Sequence, residues 1–331
     1  MPATLSFVTL DVFTATRYTG NPLAIIRVPS STTLSQSQKQ RIAREFNLSE
    51  SVFLHEQTES DKSNESVRID IFTAQAEVPF AGHPTVGTAN YLLRILPKDG
   101  PLRGIEALQA KAGRFGITLD DSVAGARISV AHNVHVHSSL GLEQRLLTGQ
   151  PRYVAYSVIS IVKGMNFILV QLADLDALKN QTGNLVGSES TYTAHTALDE
   201  GWRTGLLCTY FYVDLGHGPS SSPSDSDSGS EPTTRHLRTR MFGSREDPAT
   251  GSAASALASY LSLQTGTAGR YKYHITQGVE MGQRGEISVE VSTTTAAAAT
   301  EGVVEISEVL LGGSAVLNMQ GTLEVPDSDE L

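Results

Sequence analysis

The sequence predicts an α+β protein made of two related domains, and three observations point there. At 331 residues the chain is longer than one core of ordinary size accommodates. Strand-like alternation is interleaved with short helical patterns along its whole length. The segment 77–92 recurs 169 positions later, at 246–261, with six identities in sixteen ungapped positions.

The elements follow in order. Phe7, Thr9, Asp11 and Phe13 alternate with Val8, Leu10 and Val12, which reads as a strand. Gly20-Asn21-Pro22 is a turn signal feeding a second strand, Leu23 to Val28. Ser35 opens a helix, with Gln38 in capping-box register and Ile42, Ala43 and Phe46 as the apolar stripe. Asn47-Leu48-Ser49-Glu50 then forms a non-helical turn before the short strand Ser51 to Leu54, and Val67 to Phe72 is a further strand. In the second half, Tyr153 to Val162, Phe167 to Leu172 and Leu206 to Asp214 read as strands. Asp174 to Asn180 reads as a short helix and Ser252 to Leu263 as an Ala/Ser-rich one; Val303 to Leu310 and Ala315 to Glu324 are late strands. Residues 217–234 have low complexity and almost no apolar side chain. Such a stretch cannot bury enough surface to offset its ordering entropy, so a disordered, solvated Ser/Asp-rich insertion is expected there.

Composition narrows the function classes. Hydrophobic residues at 40% and charged residues at 18% are globular values. Lys and Arg total 25 against 35 Asp and Glu, and a net charge of −10 repels phosphate backbones. No nucleic-acid partner and no membrane-surface role are therefore expected. The single cysteine, Cys208, rules out a disulfide within the chain and a Cys-based zinc cluster, and reads as a core thiol. The N-terminus lacks a basic region followed by a long apolar run, so no signal peptide is expected. The apolar run from Tyr153 to Val162 is too short to span a bilayer. The final Ser-Asp-Glu-Leu looks like a retention tail, but has no entry signal to act with. A cytoplasmic protein is expected.

The repeat locates a candidate site. In each copy a strand end enters a Pro-containing turn, then a Gly, then a helix of small and apolar residues, Thr85 to Leu93 and Ala253 to Leu263. Neither helix carries a broad charged face, so both should be buried. Their first turns expose backbone N–H groups that favour an anion. The two mouths differ: Gly82-His83-Pro84-Thr85 in one, Asp247-Pro248-Ala249-Thr250-Gly251-Ser252 in the other. That asymmetry suits one substrate in one orientation, with His83 and Asp247 as polar handles; Thr250 and Ser252 are equally readable as simple N-caps. His132, His135 and His137 form an H-x-x-H-x-H cluster whose last two members share a strand face. No acidic residue stands close in sequence, so an exposed strand or linker is expected there and no metal site. Gly312-Gly313 lacks the rest of a dinucleotide fingerprint and reads as a turn.

Several pieces in this order resemble one family. They are Val12-Phe13 through Gly20-Asn21-Pro22-Leu23-Ala24, Asn47-Leu48-Ser49-Glu50, and Phe72-Thr73 through Pro79-Phe80-Ala81-Gly82-His83-Pro84-Thr85. Glu246-Asp247-Pro248-Ala249-Thr250-Gly251-Ser252-Ala253 and Gln277-Gly278 with Met281-Gly282 complete the set. Through most of its length the chain resembles the PhzF-like (phenazine biosynthesis F-like) isomerases. The resemblance implies a diaminopimelate epimerase-like fold: two pseudo-symmetric domains, each a curved, mostly antiparallel sheet around a central helix, with the active site in the interdomain cleft. The domains would be 1–129 and 130–314. In such folds the last strand often returns to the N-terminal domain, which would place 315–331 there. A homodimer is a further implication.

By the same resemblance Glu50 is the proton-carrying catalytic residue, and Ser49, Gly82, His83, Asp247, Gly251 and Ser252 bind substrate, without metal or organic cofactor. A carboxyl in a partly apolar cleft has its pKa raised, so it can hold and release a proton near neutral pH. Cofactor-free racemases of this general fold use two thiols, which one cysteine excludes. Two departures bear on the substrate: Gln283-Arg284-Gly285 after Met281-Gly282, and Gly164-Met165-Asn166-Phe167 in place of a Gly-Asn-Pro-His type of turn. The expected function is a cofactor-independent isomerase that moves a proton between carbon atoms of a small, anionic cyclic metabolite. The alternative is a catalytically silent metabolite-binding or protein-interaction module, motivated by the acidic insertion. A hydrolase acting through Ser252 lacks a nucleophile-elbow motif.

Overall fold

A computed structural model describes residues 3–96, 102, 104–138, 140–145, 151–193, 196, 198–217, 233–296 and 303–327. Most of the Ser/Asp-rich insertion (218–232) and the last four residues (328–331) lie outside the described residues. The chain divides into two compact units. One comprises Met1–Ala131, Met281–Ser288 and Leu310–Leu331; the other comprises His132–Glu280 and Val289–Val309. Among the described residues, no helix is long and apolar enough to cross a membrane.

The first unit is a mixed sheet, mostly antiparallel. Thr4–Val12 lies antiparallel between Ala315–Glu324 and Asn21–Val28. Asn21–Val28 runs parallel to Ser51–His55, which is antiparallel to Ser66–Phe72. Ser66–Phe72 takes the two-residue strand Glu77–Val78 antiparallel and Ala107–Ala110 parallel. Gly113–Asp120 and Gly125–Ser129 follow antiparallel, and Gly125–Ser129 pairs with Leu310–Gly313 at the end of the strand Val304–Gly313. The second unit repeats this order of pairings. Met165–Gln171 runs parallel to Leu206–His217, which is antiparallel to Thr234–Phe242. Thr234–Phe242 takes the two-residue strand Glu246–Asp247 antiparallel and Gly269–Gln277 parallel. A helix follows each two-residue strand, Gly82–Asn90 in one unit and Gly251–Leu263 in the other. Strand and helix starts in the two copies are both 169 positions apart, the offset of the sequence repeat.

Both helices start slightly earlier than their composition suggests, because the Gly that ends the turn is already helical. Every residue of Gly82–Asn90 is buried, and the helix touches strands Thr4–Val12, Asn21–Val28, Ser51–His55, Gly113–Asp120, Gly125–Ser129 and Ala315–Glu324. Three of its polar side chains bond back to carbonyls four residues earlier: Thr85 Oγ1 donates to Ala81 O at 2.6 Å, Thr88 Oγ1 to Pro84 O at 2.7 Å and Asn90 Nδ2 to Val86 O at 2.9 Å. That satisfies them without water. A π-helical turn, Tyr91–Ile95, ends the helix where a continued α-helix was expected.

The opposite face of the first sheet is covered by the helix Gln36–Phe46. The capping box expected of Ser35 and Gln38 is formed, and Ile42 and Ala43 pack with Leu5, Ala24, Ile26, Phe53 and Phe72. In the second unit Leu178, from the short helix Leu175–Lys179, packs on Val158, Ile168, Phe211 and Phe242. A charged network ties the Gln36–Phe46 helix to the sheet. Asp70 accepts from Lys39 Nζ and from His55 Nε2, both at 2.8 Å. Arg68, which can only donate, lies 2.8 Å from His55 Nδ1, so the ring proton sits on Nε2 and points at Asp70. Burial works against the Asp70 charge, but the bonds from His55 and Lys39 outweigh it and hold its carboxyl at about 2.

Two outcomes follow from this packing. A Cβ on Gly87 would stand 2.5 Å from Leu23 Cδ2 and 2.7 Å from Val12 Cγ2, whereas one on Gly116 meets nothing within 4 Å. Gly87→Val should cost about 2 kcal/mol or more in urea unfolding, and Gly116→Ala about 0.5 kcal/mol or less. The folded carboxyl of Asp70 titrates below its ordinary value of 3.8, so its contribution is full above that pH and is lost as pH falls through about 2. Between about pH 5 and about pH 2 the wild type should lose about 1–2 kcal/mol more stability than Asp70→Asn, measured by urea midpoints.

Candidate active site

Glu50 is placed by three local features. The helix Gln36–Phe46 ends at Asn47, which adopts the left-handed conformation (φ 50°) and donates its N–H to Ala43 O at 3.1 Å. Asn tolerates that conformation better than most residues, so the chain turns sharply there. Ser49 and Glu50 follow, both half-buried, and the strand Ser51–His55 begins at once. The Lys39–Asp70–His55 network clamps both flanks of this turn.

His83 is the second residue of the Gly82–Asn90 helix. It is 3% exposed, and its Nδ1 lies 3.0 Å from Glu50 Oε2, whose side chain is 17% exposed. This histidine is a buried partner of the carboxylate. Its Nε2 is buried with no hydrogen-bond partner. An orphaned ring nitrogen next to a carboxylate is an expensive arrangement, of the kind found where a ligand supplies the missing partner. Gly82 is buried at the first helical position.

The corresponding mouth in the second unit holds Asp247, Thr250, Gly251 and Ser252. Gly251 and Ser252 are the first two helical residues, the positions that Gly82 and His83 occupy in the first unit, and both are buried. Thr250 is the N-cap by position, but its side chain does not cap the helix. Its hydroxyl donates to Asp247 Oδ2 instead. Ala81, at the N-cap of the other buried helix, has no side chain able to cap. The helix Gln36–Phe46 has a full capping box, and Asp174 caps Leu175–Lys179 with a 2.8 Å bond to Ala177 N. The two buried helices thus leave their first-turn N–H groups without a side-chain cap, as an anion-binding mouth requires.

A further residue of this mouth, Gln277, enters the sequence reading only as part of a motif. It ends the strand Gly269–Gln277 with no exposure, and its Nε2 donates to Asp247 O at 2.8 Å and to Thr250 Oγ1 at 3.0 Å. A local signal exists: in this strand Tyr273, Ile275 and Gln277 share the buried phase, so a Gln stands where an apolar residue is expected. Glu246, by contrast, is structural. Arg240 grips both its oxygens at 2.7 and 2.8 Å.

The two departures from the family pattern are also placed. Asn166 is buried and donates to Thr204 O and Leu206 O at 2.9 and 2.7 Å, so that turn serves its own unit. In the other, Arg284 O accepts from Gly20 N at 3.1 Å and Glu286 N donates to Phe13 O at 2.7 Å, which holds the turn against the loop after the first strand.

The histidine cluster differs from expectation. An acidic residue does stand beside it: Asp199 Oδ2 lies 2.9 Å from His135 Nε2, brought in from far along the sequence. His135 stacks on Trp202 and packs edge-on against His137. His137 is fully engaged. Its Nδ1 accepts the Asp199 N–H at 3.1 Å, and its Nε2 donates at 2.7 Å to Ser160 Oγ, which donates to Asn166. His137 has no lone pair left for a cation, although His135, His137 and Asp199 stand within metal-ligating reach of one another, and the Ser160 hydroxyl proton points away from the histidine, as no nucleophile's would. Burial, helped by His135, pushes the His137 imidazole below its ordinary value, in keeping with a neutral ring. A cavity of about 140 Å³, lined by Arg27, Leu54, His55 and Glu56 among others, opens at the far end of the strand that follows Glu50, away from His83.

Comparison with known proteins bears on this arrangement. The chain is 32% identical to a trans-2,3-dihydro-3-hydroxyanthranilate isomerase of Pseudomonas aeruginosa, over 84% of this chain and 87% of that one. It is 29% identical to an uncharacterized isomerase of Mesorhizobium japonicum, over 97% of this chain and 99% of the other. A solved structure of a PhzF-family phenazine biosynthesis protein from Bacillus anthracis matches with a TM-score of 0.64 at 19% identity, covering 97% and 99% of the two chains. These relatives support an isomerase enzyme. The model of the family described as phenazine biosynthesis-like protein (PhzC-PhzF) matches residues 10–199 and 224–321, and the chain belongs to that family.

Proposed function

We propose that this protein is an isomerase that moves a proton between carbon atoms of a small, anionic cyclic metabolite, with Glu50 as general acid/base and with neither metal nor organic cofactor. The observation that carries the proposal is the Glu50–His83 pair: a half-buried carboxylate 3.0 Å from a buried imidazole whose other nitrogen has no partner. In this reading Glu50 takes a proton from a C–H bond, and the electron pair spreads through the conjugated system of the substrate. The same carboxyl then returns the proton to a carbon farther along, on the same face. One acid/base group suffices, which suits a chain whose only cysteine, Cys208, is buried. His83 Nδ1 holds the carboxylate in place, and Nε2 is available to a polar substrate group. Asp247, Gly251 and Ser252, at the second mouth, are substrate-binding residues in this reading, as are Ser49 and Gly82 beside the Glu50–His83 pair.

The substrate of the Pseudomonas relative, trans-2,3-dihydro-3-hydroxyanthranilate, is the first compound to test. The protein and Glu50→Gln would be incubated with it, and separately with a metabolite extract, in deuterated water, and deuterium on carbon read by mass spectrometry. The wild type should label a compound, and Glu50→Gln should label it at least about 100-fold more slowly. Equal labelling by both would remove Glu50 from the role.

A further inference from the structure

We propose that Gln277 is a positioning residue: its amide fixes the direction in which Thr250 donates, and so aims a hydroxyl proton at the Asp247 carboxylate. The inference rests on the reading of Asp247 as a substrate-binding group.

Asn and Gln side chains are ordinarily ambiguous, since oxygen and nitrogen can be exchanged by a flip. Here two backbone groups of fixed polarity settle the matter. Asp247 C=O can only accept, and Gln277 Nε2 lies 2.8 Å from it. Thr250 N–H can only donate, and Gln277 Oε1 lies 3.3 Å from it. The amide nitrogen therefore faces Thr250 Oγ1, at 3.0 Å, and donates to it. With its acceptor side engaged, the Thr250 hydroxyl spends its one proton on Asp247 Oδ2.

The opposite end of the amide is also fixed. Tyr210 OH lies 3.0 Å from Gln277 Oε1, with no solvent exposure. Burial pushes the Tyr210 hydroxyl well above its ordinary value, so it keeps its proton. Thr239 Oγ1 lies 3.0 Å from the Tyr210 OH and 3.4 Å from Gln277 Oε1, so both hydroxyls face the amide oxygen, which can only accept. Hydrogen bonds thus run in one sense, from the Tyr210 and Thr239 hydroxyls to Gln277, to Thr250 and to Asp247. The adjacent carboxylate, Glu246, is occupied by Arg240 and does not compete. A carboxylate that receives such a donor is favoured in its charged form and held in one rotamer. Without Gln277, Thr250 could turn its proton elsewhere, and Asp247 would lose both.

The test is carbon-13 and nitrogen-15 NMR of the substrate-free protein, with the Asp247 carboxyl assigned through Asp247→Asn. The Gln277 side-chain NH2 signals should move through the Asp247 titration in the wild type and stay still in Thr250→Val. The Asp247 midpoint should rise by about one pH unit in Thr250→Val and at least as much in Gln277→Glu, while Thr250→Ser, which keeps the hydroxyl, should titrate as the wild type does. If the Gln277 signals ignore the Asp247 titration in the wild type, or if the midpoint is unmoved in a folded Gln277→Glu, the proposal is overturned. The first measurement needs no Gln277 variant, so the proposal can still be overturned if Gln277→Glu fails to fold. No readout depends on turnover, so this test and the deuterium experiment fail independently.

Discussion

The constraint on which the rest depends is that each unit encloses a helix. A helix in contact with six strands has no face left for solvent, so it cannot be the amphipathic helix of an ordinary α/β layer. Its residues must be small where the sheet comes close, as Gly87 is against Leu23 and Val12, and the polar groups beyond its first turn, Thr85, Thr88 and Asn90, bond to nearby carbonyls. The same enclosure accounts for the Ala/Ser composition of Gly251–Leu263, eleven of whose thirteen residues are buried. An enclosed helix also leaves one part of itself chemically unsatisfied, its first turn, and in both units that turn has no side-chain cap.

Function then follows from what is placed at those first turns. In one unit the second helical residue is His83, which meets a carboxylate carried in by a separate turn. In the other it is Ser252, and the carboxylate comes from the two-residue strand just before the helix. The duplicated frame therefore carries two different sets of side chains. One mouth holds a carboxylate against a histidine with an orphaned nitrogen, the pair on which the proposed proton transfer rests. The other holds a carboxylate that accepts from the Thr250 hydroxyl, itself ordered by Gln277. The clamps behind them differ in kind as well. Charged groups around Asp70 fix the Glu50 turn, and a neutral amide fixes the Asp247 turn.

Much of this was legible in the sequence. The strand Ala315–Glu324, the capping box at Ser35 and the short helix capped by Asp174 depend on periodicity and on contacts within a few residues. The 169-residue repeat anticipated that both central helices begin alike. No strand is read from the sequence at Ala107–Ala110, Gly113–Asp120, Gly125–Ser129 or Gly285–Thr295; the first and third are too short for a period to stand out, whereas Ile287, Val289 and Val291 in the last do alternate with polar residues and carry a legible strand signal.

By itself, then, the sequence determined the class of fold, the place of the two mouths, and Glu50, His83 and Asp247 as the residues to watch. Only the tertiary structure decided that Glu50 and His83 touch, that Thr250 serves Asp247 rather than its own helix, that Gln277 orders that pair, and that Asp199 engages the histidine cluster. The reason is the range of the forces. Hydrophobic periodicity and capping act between near neighbours and are written in spacing. A hydrogen bond needs about 3 Å and one direction, and residues far apart in sequence meet those terms only once the sheet has set their positions.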